Sequence, residues 1–237
     1  MIKIENISKK FNKRSKFPIK ALDSVSCTIH PNKVTGLIGA NGAGKTTLIR
    51  IILGFEKQDS GTVSINGQDN LLIETRKILG YQSDLPYLSK SVKVSEFLEM
   101  NSKLLGFKNN DKQIEDLLTS FKLLESSSKK LSELSKGMRQ KLEIINAFLG
   151  EPKIVILDEP TAALDPVATL ELREFINKQR NKDITILFSS HHLSEVEHIC
   201  DNVLLIDSGK IHREFDMNNI EKGALENEFR KFISEQN

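Results

Sequence analysis

Nine consecutive residues, Gly39-Ala40-Asn41-Gly42-Ala43-Gly44-Lys45-Thr46-Thr47, combine three glycines, one lysine and two threonines in a full match to G-x-x-x-x-G-K-[ST]. Glycine at 39, 42 and 44 lets the backbone turn tightly and brings its N–H groups onto phosphate oxygens with no Cβ in the way. Asn41 and Ala43 complete the cradle. A helix starting after the loop adds its positive N-terminal end, Lys45 neutralises the β and γ phosphates, the Thr46 hydroxyl ligates Mg²⁺, and Thr47 supports a neighbouring phosphate. A second chemical group, Asp158-Glu159, ends the apolar run Ile154-Val155-Ile156-Leu157. A carboxylate at the end of a buried strand is costly unless it meets a cation, and for Asp158 the water shell of Mg²⁺ supplies one. Glu159, turned away from Asp158 by strand alternation, is placed to align and polarise an attacking water, a role worth roughly 100- to 10,000-fold in rate.

These groups need a strand, a loop and a helix in that order. Val34 to Ile38 predicts a short buried strand, and Lys45 to Leu53 a helix ended by Gly54. Upstream, residues 1 to 30 alternate as strands do, with Leu22, Val25, Cys27 and Ile29 on one side and a basic turn at Lys13 to Lys16. A strand pair is expected around Thr62 to Ile65 and Ile78 to Gln82. The period then changes: Val94, Phe97, Leu98, Asn101, Leu104 and Leu105 recur at helical spacing, as do Ile114, Leu117, Leu118 and Phe121. Beyond them, strands at Ile154 to Leu157, Ile184 to Phe188 and Val203 to Ile206 alternate with helices near 166 to 180 and 193 to 200. That alternation predicts a mostly parallel sheet with helices on both faces. Residues 85 to 141 form a helical subdomain inserted into this α/β core, and Leu225, Phe229, Phe232 and Ile233 lie on one face of a final helix packed on the core.

Across 237 residues, 34 Lys and Arg balance 32 Asp and Glu, so no polyanion is called for and no nucleic acid partner is expected. Cys27 and Cys200 have neither paired spacing nor nearby metal-ligand residues, and buried thiols of this kind suit a reducing compartment. The start, Met1-Ile2-Lys3-Ile4-Glu5, lacks a signal peptide's apolar region, and no run approaches the roughly 18 apolar residues that span a bilayer.

One further segment, Leu134-Ser135-Lys136-Gly137-Met138-Arg139-Gln140-Lys141, stands shortly before the acidic strand. Ser135 is a good N-cap, and Met138, Leu142, Ile145 and Leu149 form one apolar stripe behind it, so the exposed end of this helix offers N–H groups and a hydroxyl to an anion. The glycine loop, this Leu-Ser-x-Gly segment and Asp158-Glu159 together resemble the ATP-binding cassette (ABC) ATPases over nearly the whole chain. Lys136 and Met138 depart from that family's Leu-Ser-Gly-Gly-Gln. The resemblance implies a P-loop NTPase core with an N-terminal antiparallel β-subdomain and an inserted α-helical subdomain. One ABC ATPase domain then covers 1–237, with core and β-subdomain on 1–84 and 142–237 and the helical subdomain on 85–141.

The same resemblance assigns roles residue by residue. His191 matches the switch histidine that reaches the γ-phosphate, with His192 as its rival, and Asp165 matches the D-loop aspartate, with Ala163 where Gly is commoner. Phe11 falls where an aromatic stacks on adenine, Phe17 being a second candidate. Counting back from Val94, Glu96 and Leu98 puts Asp84 at the Q-loop position, where a carboxylate still reaches Mg²⁺ or water through oxygen, and Gln82 is the alternative. Ser135 and Gly137 are expected on the ATP of a second subunit, homologous or identical, arranged head to tail. Leu-Ser-Lys-Gly-Met-Arg-Gln-Lys and an acidic Q-loop look like bacterial drug, antibiotic and peptide-immunity exporters. That implies an ATPase at the cytoplasmic face of the membrane, held there by a separate integral permease, a short helix of which docks in a groove near Asp84 to Tyr87 and the helical subdomain. Two other functions compete with it. One is a soluble ABC ATPase acting on ribosomes or DNA, although tandem cassettes, a long coiled coil and zinc cysteines are missing. The other is a regulatory ATP binder with weak hydrolysis, against which Glu159 and His191 stand.

Overall fold

Ile2, Ile4 and Ile7 are buried between exposed Lys3, Glu5 and Asn6, so β1 (Ile2–Phe11) turns one face to a core and the other to water. The basic turn after it, with Asn12 at a φ of 54°, returns the chain into β2 (Ile19–Ile29), antiparallel to β1. In the computed structural model, which describes residues 1–82, 91–107, 110–221 and 223–235, ten strands and eight α-helices follow the chain. After β2 come β3 (Val34–Ile38), α1 (Lys45–Ile52), β4 (Ser60–Ile65), β5 (Gln68–Asp69), α2 (Ile73–Lys77) and β6 (Leu79–Gln82). Then follow α3 (Val94–Leu104), α4 (Asp111–Ser120), α5 (Lys136–Ala147), β7 (Ile154–Asp158) and α6 (Pro166–Gln179). The chain closes with β8 (Thr185–Ser190), α7 (Leu193–Ile199), β9 (Asn202–Asp207), β10 (Lys210–Asp216) and α8 (Leu225–Glu235).

Two compact units share these elements. The first comprises Met1–Arg76 and Thr185–Asn237, the second Lys77–Ile184. In the first unit an antiparallel sheet runs in the order β2-β1-β4-β5. Beside it stands β10-β9-β3-β8, in which β9, β3 and β8 are parallel and β10 is antiparallel to β9. Every residue of β3 and of β8 is buried, as strands covered on both faces require. In the second unit β6 and β7 pair in parallel from Leu79↔Ile154 to Gln82↔Leu157, with α3 to α6 around them. Phe175 of α6 meets Phe148 edge-on and Phe121 at a tilt, both with ring centroids 4.8 Å apart, and the Asn101 amide of α3 donates to Asn146 of α5 at 2.7 Å. The fold is thus α/β, with an antiparallel sheet and a mostly parallel sheet accompanied by helices. Among the described residues no helix is long and apolar enough to cross a membrane.

Some expectations are corrected. The strands near 62–65 and 78–82 form but do not make a pair: Asn66 and Gly67, both at positive φ, fold β4 back onto β5, while β6 pairs with β7. The signature helix α5 stops at Ala147, so Leu149 lies beyond it and is buried from the turn that follows. Leu225 of α8 is buried as expected, while the side chains of Phe232 and Ile233 lie outside the described residues.

Candidate functional site

In the first unit, β3 delivers the chain into the glycine loop, which ends at Gly44 with a φ of 111° as the N-cap of α1. A glycine has no side chain to cap with, and α1 has no acidic residue in its first turn. The N-cap side chain therefore supplies no acceptor to its leading N–H groups, an arrangement that favours an anion. Gly39 is required by close approach, since a Cβ there would fall 2.2 Å from the Ile206 carbonyl oxygen. Lys45 is only 6% exposed, and its ammonium donates to the carbonyl oxygens of Gly39 at 2.8 Å and Ala40 at 3.3 Å. Those two carbonyls offset part of the cost of burying the charge. Ala43 is buried, Thr47 half-buried, and Asn41, Gly42 and Thr46 exposed.

His191 and His192 follow β8 directly, both exposed, with ring centroids 4.0 Å apart. His192 is the N-cap residue of α7, and its N–H donates to Ser190 Oγ at 2.9 Å, while Ser190 donates in turn to Glu195 at 3.2 Å. The candidate adenine-stacking Phe11 ends β1 opposite Ile19, half-buried, with the Lys9 ammonium 5.1 Å from its ring centroid. Phe17 is 76% exposed in the turn beyond.

In the second unit, β7 ends on Asp158, and Gln82 ends β6 beside it. Gln82 is 5% exposed, its Nε2 donates to the Asp158 carbonyl oxygen at 3.3 Å, and its Oε1 is buried with no hydrogen-bond partner among the described residues. An unmet acceptor of this kind costs about 1–3 kcal/mol. Strand alternation does not aim Glu159, contrary to expectation. The strand stops one residue earlier, and Glu159 adopts a φ of 50°, in the left-handed region. For a non-glycine residue that conformation costs about 1–2 kcal/mol, and a turn rather than the pleat sets its side-chain direction. Asp84, assigned to the Q-loop, lies outside the described residues.

Beyond Glu159 the chain turns through Ala162 N–H to Glu159 O at 3.2 Å and Leu164 N–H to Thr161 O at 3.0 Å. It then enters α6, where Asp165 Oδ1 accepts from the Ala168 N–H at 2.8 Å and Pro166 occupies the first turn. Ser135 caps α5 as expected, its Oγ accepting from the Met138 N–H at 3.2 Å. Gly137 abuts the Asp165 loop: a Cβ there would stand 3.1 Å from the Ala163 carbonyl oxygen. A cluster absent from the sequence expectations joins the same two helices further along. Glu171 of α6 accepts from Lys141 of α5 at 2.7 Å and from Lys122 at 2.8 Å, and Lys141 also donates to the Phe121 carbonyl at 3.2 Å. Burial pushes the Glu171 carboxyl up, but the two ammonium groups outweigh it and hold it below its ordinary value.

The first unit thus brings together a glycine cradle, a buried lysine and an uncapped helix end. The second brings together a strand-end carboxylate, a strained glutamate and the ends of α5 and α6. Comparison with known proteins matches this combination. The family model described as "ABC transporter" matches residues 22–162. The "ABC transporter ATP-binding protein NatA" of Bacillus subtilis is 34% identical over 99% of this chain and 94% of its own length. The "Lantibiotic transport ATP-binding protein SrtF" of Streptococcus pyogenes is 36% identical over 91% of this chain and 92% of its own. A solved "ATP binding subunit of ABC transporter" superposes with a TM-score of 0.87 at 29% identity, covering 99% of both chains.

Proposed function

Because the chain belongs to the family of ABC transporter ATP-binding subunits and is an ATPase of that family, we propose that it powers a bacterial-type exporter of drugs, antibiotics or peptides through a separate membrane permease. The observation that carries the nucleotide site is the contrast in capping. Ser135 and Asp165 each give the third residue of α5 and α6 a side-chain acceptor, whereas the N-cap of α1 is Gly44, which has no side chain to give, and a buried lysine follows it. The loop from Gly39 to Thr47 holds the phosphates, Phe11 stacks on the base, and Lys45 exchanges its loop carbonyls for phosphate oxygens.

The residues fit Mg²⁺, which takes one or two protein oxygens and fills its shell with water and phosphate. Thr46 and Asp158 would hold it, with Asp84 the expected further oxygen donor. When bound, the ion neutralises phosphate charge and fixes the terminal phosphate. Glu159 orients the attacking water and takes its proton, and His191 steadies the γ-phosphate. Two subunits meet head to tail, so that each one's Ser135 and Gly137 reach the ATP held by the other, and hydrolysis reopens them.

Support for a permease comes from the outer face of α3. Met100 and Leu104 are exposed there, Leu105 and Phe107 follow just past the helix, and Glu96, Glu99, Met100, Lys103 and Leu104 line a groove of about 470 Å³. An apolar, acid-edged groove on a helix suits a short amphipathic permease helix. The decisive experiment is Glu159→Gln. ATP binding is retained, steady-state phosphate release is abolished, and an ATP-dependent dimer accumulates on gel filtration. Unchanged turnover refutes the assignment. Co-purification with a polytopic membrane protein tests the permease, and a chain that never associates with membranes refutes that part alone.

A further inference from the structure

Gln82 is a residue the chain retains at a cost. It sits at the buried end of β6, in register with Leu157 and one step from the carboxylate pair. An apolar side chain of equal length would fill the same space without leaving a buried Oε1 unmet among the described residues. Its one donated hydrogen bond goes to the carbonyl oxygen of Asp158.

That oxygen belongs to the peptide plane shared by Asp158 and Glu159. Rotation of the plane changes ψ of Asp158 and φ of Glu159 together, and φ of Glu159 is the strained one, at 50°. A residue in the left-handed region relaxes to negative φ unless neighbours hold it. Relaxation would swing the Glu159 side chain away from its present direction. An amide fixed to the Asp158 oxygen opposes that swing.

We propose that Gln82 is a positioning residue that locks the Asp158–Glu159 peptide plane and so aims the Glu159 carboxylate. This rests on the reading of Glu159 as the group that activates water, and it differs from a direct reach of Gln82 to metal or water. Displacing a catalytic group by about 1 Å costs on the order of 100-fold in rate, so the loss falls on the chemical step.

The test compares Gln82→Met, Gln82→Leu and Glu159→Gln in the full-length chain with ATP and magnesium. In both Gln82 variants kcat falls about 10- to 100-fold, while KM and the Kd for ATP move less than about 2-fold. Their thermal midpoints stay level or rise, because an unmet acceptor has been removed. A residue important only for folding would lower the midpoint and weaken ATP binding along with turnover. Two results overturn the proposal while leaving the function intact: Glu159→Gln is inactive but both Gln82 variants keep parental kcat, or their losses track a lowered midpoint. Turnover that survives in Glu159→Gln overturns both together.

Discussion

Replacing Glu171 by alanine removes the acceptor that two ammonium groups share, and the two arms are unequal. The side chains of Lys141 and Glu171 are 15% and 12% exposed, whereas that of Lys122 is 71% exposed. Removing one partner of a fully buried pair costs about 3–5 kcal/mol. Lys141 retains the Phe121 carbonyl and some access to water, which lowers the expected loss to about 2 kcal/mol. For a chain of 237 residues that corresponds to a fall in Tm of about 4–8 °C, measured by scanning calorimetry. Lys122→Ala, by contrast, leaves Tm within error, since its arm is solvated and screened. The pH dependence has a definite sign. The folded carboxyl titrates below its unfolded value, so its contribution is complete above the ordinary carboxylate range and is lost as pH falls through the lower folded value. The Tm gap between wild type and Glu171→Gln is therefore full at neutral pH and closes in acid. Equal losses for Lys122→Ala and Glu171→Ala, or a gap that persists undiminished to about pH 3, refute the reasoning.

Gly39→Ala forces a Cβ against the Ile206 carbonyl oxygen, so stability falls by about 1–3 kcal/mol and ATP affinity at least about tenfold, read by urea unfolding and equilibrium dialysis; wild-type affinity would show that the loop tolerates the shift. Cys27 is pushed up to about 12 by burial and by the Glu214 charge, so at pH 8 iodoacetamide labels it at least about 1,000-fold more slowly in the folded chain than in urea, and rapid labelling of the folded chain would contradict it.

What could be foreseen follows the range of the physical signal. The strand Val34 to Ile38 and the helix beginning at Lys45 are local patterns: the strand appears with the expected bounds, and the helix starts where expected and ends at Ile52, one residue early, with Leu53 as its C-cap. The strand β10 was not foreseen because Lys210, His212, Arg213, Glu214 and Asp216 dilute its alternation, and most of its residues are only half-buried. The helix α2 spans five residues, too few for a helical period to register. At the candidate site, the loop and the carboxylates stand out by residue type. The left-handed turn at Glu159 does not, because glutamate carries no mark of positive φ, and the Gln82 amide that donates to the Asp158 carbonyl beside it comes from β6, 76 positions upstream. Lys141 and Glu171 likewise lie 30 residues apart, and nothing in either stretch announces the other.

The ends of α5 and α6 show why one cap is serine and the other aspartate. Both accept a hydrogen bond from the N–H of the third residue of their helix, Ser135 from Met138 and Asp165 from Ala168. An ionised carboxylate can only accept, and its charge repels a second anion, so Asp165 closes its helix end to phosphate. A hydroxyl accepts with one lone pair and still carries a proton to donate. Ser135 can therefore hold the helix start and offer a hydrogen bond outward, next to a Gly137 whose missing side chain admits the Ala163 loop. The retained residues of the signature segment are those a phosphate contact requires, while Lys136 and Met138 change its flanks. This is why the altered sequence fits an active ATPase subunit better than a binder that has lost hydrolysis.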